Sequence, residues 1–346
     1  MPLEPIHQKG YAQPDRAEVE RQVASAVESN PDFFIQQYIR DSRSFGGRYI
    51  AADLFKETFE QYRQSKDARN RYNTPVHNSA AVLSAEQFRR MLVDRSQANK
   101  TEVIFLTGIP GAGKTSSVLS GGGELPHSYR LIFEGQLSNI ETTLQKLHQV
   151  LEVGLKPLIM VVHAKPEDAL WNTIKRFYEE GRGASINVMS SIQGGLHSTL
   201  SLVRDQLGHK VQFVVQDNRN RQDPQTLSGW NHLLILQSEG THDQIKQRLT
   251  TALLQWRADG VVTDSCYQQA IGGIPIGRNE SLADNNQQKH ETDVRGRGVP
   301  PGDREELVLD GSNVSDESEI CERCKKNPCK CGGRGQSSVS RPRVRP

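Results

Sequence analysis

Cysteine is nearly absent from the body of this chain. Of five cysteines in 346 residues, Cys266 stands alone and the other four lie between positions 321 and 331. That distribution excludes a disulfide framework. Long apolar runs are missing too. None approaches the roughly 20 residues that a membrane-spanning helix needs. The first ten residues, Met1 to Gly10, hold no apolar stretch of the signal-peptide kind, so the expected location is the cytoplasm. Nor does one sign of charge dominate: 43 Lys and Arg face 41 Asp and Glu. The balance argues against a nucleic-acid partner. Hydrophobic residues make up 35% of the chain, below the globular norm, so part of it is expected to lie outside the core.

What is present is a phosphate-binding loop. Gly108-Ile109-Pro110-Gly111-Ala112-Gly113-Lys114-Thr115 fits G-x-x-x-x-G-K-[ST], and Ser116 follows. Val103 to Thr107 before it reads as a buried strand, and a short helix can start at Gly113. Glycines let the backbone wrap closely round an anion with successive N–H groups turned inward. The helix N-terminus adds its positive partial charge. In such a loop Lys114 would reach the β- and γ-phosphates of ATP or GTP, and the Thr115 hydroxyl would ligate Mg²⁺.

The rest alternates strands with helices. Residues 1–40 read as a helical extension, with Asp15 as a helix cap and Pro31-Asp32 opening a second helix. A short strand candidate, Arg48 to Ala52, leads into a helix through about Arg63. Ser79 to about Val93 is helical. After the loop, Gly121-Gly122-Gly123 breaks the chain. Leu131–Phe133, Leu158–Val162 and Val211–Val215 read as buried strands, and Leu233–Leu236 as a further strand candidate. Helices follow Leu137 and Pro166, run up to Leu207, and span 243–258. Alternation of this kind means an α/β fold of the P-loop NTPase type, three-layered, with a mostly parallel sheet covered on both faces and ligands at the carboxyl ends of the strands. The main domain is expected over 41–277. From 278 to 346 the sequence is polar and reads as a disordered tail. Within it Cys321, Cys324, Cys329 and Cys331 offer four thiolates that can hold one Zn²⁺. Their cramped spacing leaves free, redox-sensitive thiols as an equal alternative. The basic end from Arg341 to Arg345 reads as a solvated terminus.

Phosphoryl transfer needs positioning, charge neutralisation at the γ-phosphate and a base for the attacking hydroxyl. Arg176 and Arg182 follow a sheet strand, where a small lid could add transition-state charge stabilisation. Glu134 ends a strand, where it could hold a substrate hydroxyl or the metal's water, or else cap the next helix.

The loop with its trailing Ser116 resembles the G-x-P-G-[SA]-G-K-T-S of the zeta toxin family of phosphate-loop kinases. Glu134-Gly135-Gln136 is similar to its E-G-T substrate motif, with Gln for Thr. Ala164 to Glu167 with Ile174-Lys175-Arg176-Phe177 resembles the segment carrying the first triphosphate-binding arginine, and Arg182 with Ala184-Ser185 the second. The resemblance is clear from about 102 to 220. One departure matters. The family places an aspartate base, as D-x-D-x-F-[KR], between the loop and E-G-x, and the interval from Ser117 to Glu134 contains no Asp. Upstream, however, Asp53-Leu54-Phe55-Lys56 matches the D-x-F-K part, and Thr74-Pro75-x-x-Asn78 is similar to the family's segment after that aspartate. The expectation is a permutation: the base-carrying strand has moved in front of the loop, with Asp53 as the base and Asn78, Glu134 and Gln136 at the substrate. Ala51 stands for the family's first Asp, and its His-Pro is missing.

The resemblance implies a transferase of kinase type, a phosphotransferase with an alcohol group as acceptor. It further implies UDP-N-acetylglucosamine as that acceptor, toxicity to the producing cell, and a protein antitoxin that blocks the nucleotide cleft. The N-terminal helices are an alternative, built-in cover. Two other readings stay open: a kinase acting on another nucleotide, a dinucleotide or a nucleic-acid end, and a nucleotide-binding regulatory module without catalysis.

Overall fold

The apolar runs Val103–Leu106, Leu131–Phe133, Leu158–Val162 and, from Gln212 on, the run to Val215 all enter one six-stranded sheet in the computed structural model, which describes residues 3–119 and 124–273. In chain order the strands are β1 (Tyr49–Ala51), β2 (Glu102–Thr107), β3 (Tyr129–Glu134), β4 (Lys156–His163), β5 (Gln212–Asp217) and β6 (Gln225–Ser228). In space they run β1-β3-β2-β4-β5-β6, all parallel except β6. Parallel strands need crossovers, and these put helices on the faces. The helices are α1 (Pro14–Ser29), α2 (Pro31–Arg40), α3 (Ala52–Phe55), α4 (Glu60–Arg63), α5 (Lys66–Tyr72), α6 (His77–Val93), α7 (Lys114–Val118), α8 (Ile140–Glu152), α9 (Pro166–Glu180), α10 (Ile186–Leu207), α11 (His242–Ala258) and α12 (Asp264–Ala270). Val103, Ile104, Phe105 and Leu106 are wholly buried, as a central strand covered on both faces must be.

The register at one end of the sheet matters most. Ala51 of β1 pairs with Glu134 of β3, and Leu106 of β2 pairs with the same Glu134. Three carboxyl ends therefore lie level, although β1 precedes the phosphate loop in sequence and β3 follows it. Two further devices hold β1 in place. The Tyr38 hydroxyl of α2 donates to Tyr49 O at 2.5 Å and accepts from Ala51 N at 3.1 Å. It thus satisfies edge groups that would otherwise be unpaired. Its ring stacks on Phe55 of α3 at 3.6 Å. At the other end of β3, the buried Arg130 donates to Met91 O at 2.8 Å and to Leu92 O at 3.0 Å, closing the C-terminal end of α6.

Several expectations are corrected. The run Leu233–Leu236 is not a strand but part of a 3₁₀ helix, Trp230–Gln237. Gly229 turns the chain with φ of 102°, Trp230 stacks on Phe213 at 4.5 Å, and only Leu233 and Leu236 are buried, three apart on one side. The missing edge strand is β6, too polar and exposed to show an apolar run. Asp15 lies inside the first turn of α1 and pairs with Arg71 instead of capping; no side chain caps that helix. The helix foreseen through Arg63 breaks at a 3₁₀ turn, Lys56–Thr58. The Gly121–Gly123 break, the 278–346 tail and its cysteines lie outside the described residues.

His163 ends β4 and is 1% exposed. It lies 3.0 Å from the Gln193 amide of α10 and 3.2 Å from the Ser238 hydroxyl. Burial pushes its pKa from 6.5 down to about 4, so it folds neutral. A depressed histidine stabilises the fold fully above its unfolded pKa, and that stability is lost as pH falls from 6.5 toward 4, because only the unfolded chain takes up the proton. Complete loss would amount to roughly 3 kcal/mol. Thermal melts between pH 7 and pH 4.5 should therefore show His163→Gln losing less stability than the parent protein; parallel losses would show that His163 is not the linked group.

Candidate functional site

The loop between β2 and α7 has the backbone its glycines require. Gly108 and Gly111 have φ of 134° and 82°. A Cβ at Gly108 would sit 2.3 Å from Val162 O, and one at Gly111 would sit 2.2 Å from Ala169 O. Two amides brace the loop: Asn172 Nδ2 donates to Gly111 O at 2.8 Å and Asn218 Nδ2 to Ala112 O at 3.2 Å. Ile109 is buried beneath it, and Ser116 Oγ donates back to Gly113 O at 2.9 Å. The first N–H groups of α7 have no intrahelical partner. They open a concavity suited to phosphate oxygens.

Lys114 is folded onto its own loop, donating to Gly108 O at 3.0 Å and Ile109 O at 3.1 Å, with the Glu134 carboxylate 3.4 Å away. The Tyr49 hydroxyl donates to Glu134 Oε2 at 2.5 Å and lies 3.2 Å from Thr115 Oγ1. A carboxylate only accepts, so the tyrosine proton goes to Glu134 and the threonine proton to Tyr49. The Thr115 lone pairs are thereby left for a cation, with the Glu134 carboxylate beside them. This donor set fits Mg²⁺, a hard ion that takes oxygen ligands and keeps several waters. Burial and the adjacent Glu134 charge hold the Tyr49 phenol firmly protonated.

Asp53, two residues beyond the level end of β1, enters the same space. A cavity of about 400 Å³ is lined by Asp53, His77, Lys114, Glu134 and Gln136 among others. A second, of about 640 Å³, shares Asp53, His77, Pro110 and Gln136 with it and adds Arg176 and Arg182. The Asp53 side chain is 62% exposed, and its carboxylate is 2.8 Å from Lys56 Nζ. Lys56, only 3% exposed, also donates to Asn73 Oδ1 at 2.7 Å. The Lys56 charge holds the Asp53 carboxyl well below the usual range, so it stays ionised. His77 is neutral, its pKa lowered to about 4 by burial and by Lys56.

Arg176 and Arg182 both turn to Glu180, at 3.8 Å and 2.8 Å. Gln136 holds the loop strand through its carbonyl, which accepts from Thr107 Oγ1 at 2.9 Å. Glu134 does not cap α8; Asn139 does, accepting from Thr142 N at 3.0 Å. Asn78 turns to the N-terminal segment instead, its amide donating to His7 O at 2.6 Å. Among the described residues no group of three or more His, Cys, Asp or Glu could hold a metal, and the cysteines considered for zinc lie outside them. No described helix is long and apolar enough to cross a membrane. Three participants were not foreseen: Tyr49, Lys56 as the orienting cation, and His77. Only Lys56 carried a sequence signal, as the last position of D-x-F-K.

No family model matches the chain, and no curated protein matches it significantly. Among solved structures it is similar to a chain of the AvrRxo1-ORF1:AvrRxo1-ORF2 complex with sulphate ions, at 12% identity and a TM-score of 0.36, over 65% of this chain and 73% of that one. It is also similar to a structure from the PezAT chromosomal toxin–antitoxin system of Streptococcus pneumoniae, at 11% identity and a TM-score of 0.33, over 74% of this chain and 100% of that one. Likenesses this weak say nothing of the chemistry, which rests on the residues themselves.

The close approach at Gly111 makes a direct test. Gly111→Ala should cost about 1–3 kcal/mol of stability and weaken ATP binding at least roughly tenfold, because the loop backbone must shift off its anion-binding geometry; calorimetric titration with ATP that matches the parent protein would contradict this.

Proposed function

We propose that this chain is a kinase that transfers the γ-phosphoryl group of ATP or GTP to an alcohol. The observation that carries this reading is that Asp53 and Lys114, which flank the loop strand from opposite sides in sequence, line one cavity. A bare nucleotide-binding module needs the loop and its lysine. It has no need of an aspartate, itself tied to a buried lysine, facing them.

In this reading the loop N–H groups and Lys114 hold the β- and γ-phosphates, and Lys114 exchanges its loop carbonyls for phosphate oxygens. Thr115, and Glu134 through water, would hold Mg²⁺, which when bound neutralises those oxygens. Arg176 and Arg182, parked on Glu180 in the free protein, turn to the γ-phosphoryl oxygens. The acceptor hydroxyl attacks the γ-phosphorus, the bond to the β–γ bridging oxygen breaks, and the hydroxyl proton passes to Asp53. A strongly ionised aspartate is a weak base. That is adequate here, because the loose transition state of phosphoryl transfer leaves the proton on the nucleophile until late. Lys56 fixes the direction of the carboxylate, and orientation is what it chiefly contributes.

The resemblance to zeta toxins makes UDP-N-acetylglucosamine the first acceptor to test, with toxicity and a protein antitoxin as the corresponding biology. A second reading keeps the transfer and changes the acceptor to another nucleotide. Ala51 favours it: this buried residue brings no carboxylate where the resembling motif has one.

The test is transfer of labelled γ-phosphate to a panel of nucleotide sugars and nucleotides, with Asp53→Asn alongside. Asp53→Asn should bind ATP within about threefold of the parent and lose at least roughly 100-fold in transfer rate. Equal transfer by both proteins would remove Asp53 from the mechanism. Tight ATP binding with no transfer to any acceptor would leave the regulatory module.

A further inference from the structure

The N-terminal segment carries charge that the phosphoryl-transfer reading does not use. Lys9, Tyr11 and Arg16 line the larger cavity together with Asp53, Arg176 and Arg182. The segment is fixed there. Ile6 is buried in the core, the His7 carbonyl accepts from Asn78, and the backbone N–H groups of Lys9 and Gly10 both donate to the buried Glu20 carboxylate at 2.9 Å.

Arg16 is 8% exposed; its Nη1 donates to Gln13 Oε1 at 3.5 Å, while its Nε is buried with no hydrogen-bond partner among the described residues. The Tyr11 hydroxyl is buried and unpartnered likewise. The Arg16 guanidinium lies over the Tyr11 ring at 4.4 Å, so the two groups form one unit. The nearby carboxylates are engaged elsewhere: Asp15 with Arg71, and Glu20 with the Lys9 and Gly10 backbone. The other cations on this cavity have partners, Lys56 on Asp53 and Arg176 and Arg182 on Glu180. Among the described residues Lys9 and Arg16 form no salt bridge. A buried charged donor left unsatisfied is costly, and such a group in a native structure calls for a reason. An anion in the cavity supplies one.

We propose that Lys9, Tyr11 and Arg16 form a second anion subsite, which takes a phosphate or diphosphate group of the acceptor. An arginine fork, an ammonium and a phenol together offer donors to several oxygens of one group, which suits phosphate better than a single carboxylate. The donor nucleotide already has its own loop and lysine. The subsite lies on the same cavity as Asp53, so an acceptor anchored there by its phosphate presents its sugar hydroxyl toward the base. The acceptor is on this account a phosphorylated compound, of the nucleoside-diphosphate class. The acceptor role rests on the kinase reading above; the anion site itself rests only on these three residues.

The experiment is calorimetric titration of the full chain with inorganic pyrophosphate, in the parent protein, in Lys114→Ala and in Lys114→Ala combined with Lys9→Gln or Arg16→Gln. Lys114→Ala should leave one binding event, and each added substitution should weaken that event roughly tenfold. Lys9 is exposed, so its replacement tests the site without burdening the fold. Pyrophosphate binding in the Lys114→Ala background that ignores both replacements, or is absent from the start, overturns the proposal. Lys9→Gln alone should bind ATP as the parent does; a weakened ATP affinity would make this a donor site and overturn the acceptor assignment. If instead Lys114→Ala leaves both pyrophosphate events unchanged, the loop reading fails while the N-terminal subsite stands.

Discussion

The level ending of three parallel strands is the constraint on which the rest depends. Ala51, Leu106 and Glu134 share one register at the carboxyl edge of the sheet. From that register Asp53 follows β1, the phosphate loop follows β2, and Glu134 ends β3, which lies between them. Chain order is irrelevant to this geometry. A strand placed before the loop in sequence reaches the same seat as one placed after it, provided that something holds it at the edge. Tyr38, with its hydroxyl bonded to both Tyr49 O and Ala51 N, does so, and this gives the N-terminal helices a structural part in the site.

Within the site, charges are matched in pairs that a ligand can exchange. Lys114 lies by Glu134, Asp53 by Lys56, and Arg176 and Arg182 by Glu180. Each partner keeps the free protein from leaving a charge uncompensated in a crowded cleft. Phosphate oxygens can replace those partners with stronger, charge-assisted contacts. Asp53 differs from the rest, because its lysine is buried and doubly held and so does not move away. The carboxylate is therefore aimed. Arg16 stands outside this pattern, with a buried Nε that finds no partner among the described residues.

Much of this was legible in the residues, and the exceptions have physical causes. The loop announces itself because glycine spacing and a lysine are dictated by backbone wrapping round an anion. The seat of Asp53 beside the loop was legible through the run Asp53 to Lys56, and the structure shows Asp53 and Lys114 lining one cavity. Tyr49 was not, because its partner Thr115 is far along the chain and only the fold brings the two together. Leu233–Leu236 misled because a short apolar run reads alike for a strand and for a one-sided helical turn, and β6 was missed because an exposed antiparallel edge strand needs no apolar residues. Lys9 and Arg16 gave no signal at all: in a polar segment they look like any solvated charge, and only burial distinguishes Arg16.

The central claim is geometric: one cleft serves both the loop and the upstream aspartate. A crystal structure of the full chain with Mg²⁺ and a non-hydrolysable ATP analogue tests it most directly. Room for a single hydroxyl between base and phosphorus sets the distance, a hydrogen bond plus a near-attack contact. The account predicts the Asp53 carboxylate roughly 5–6 Å from the γ-phosphorus, with Arg176 and Arg182 turned from Glu180 toward the phosphates. A γ-phosphorus more than about 10 Å from Asp53, with the nucleotide seated in the loop, would contradict it.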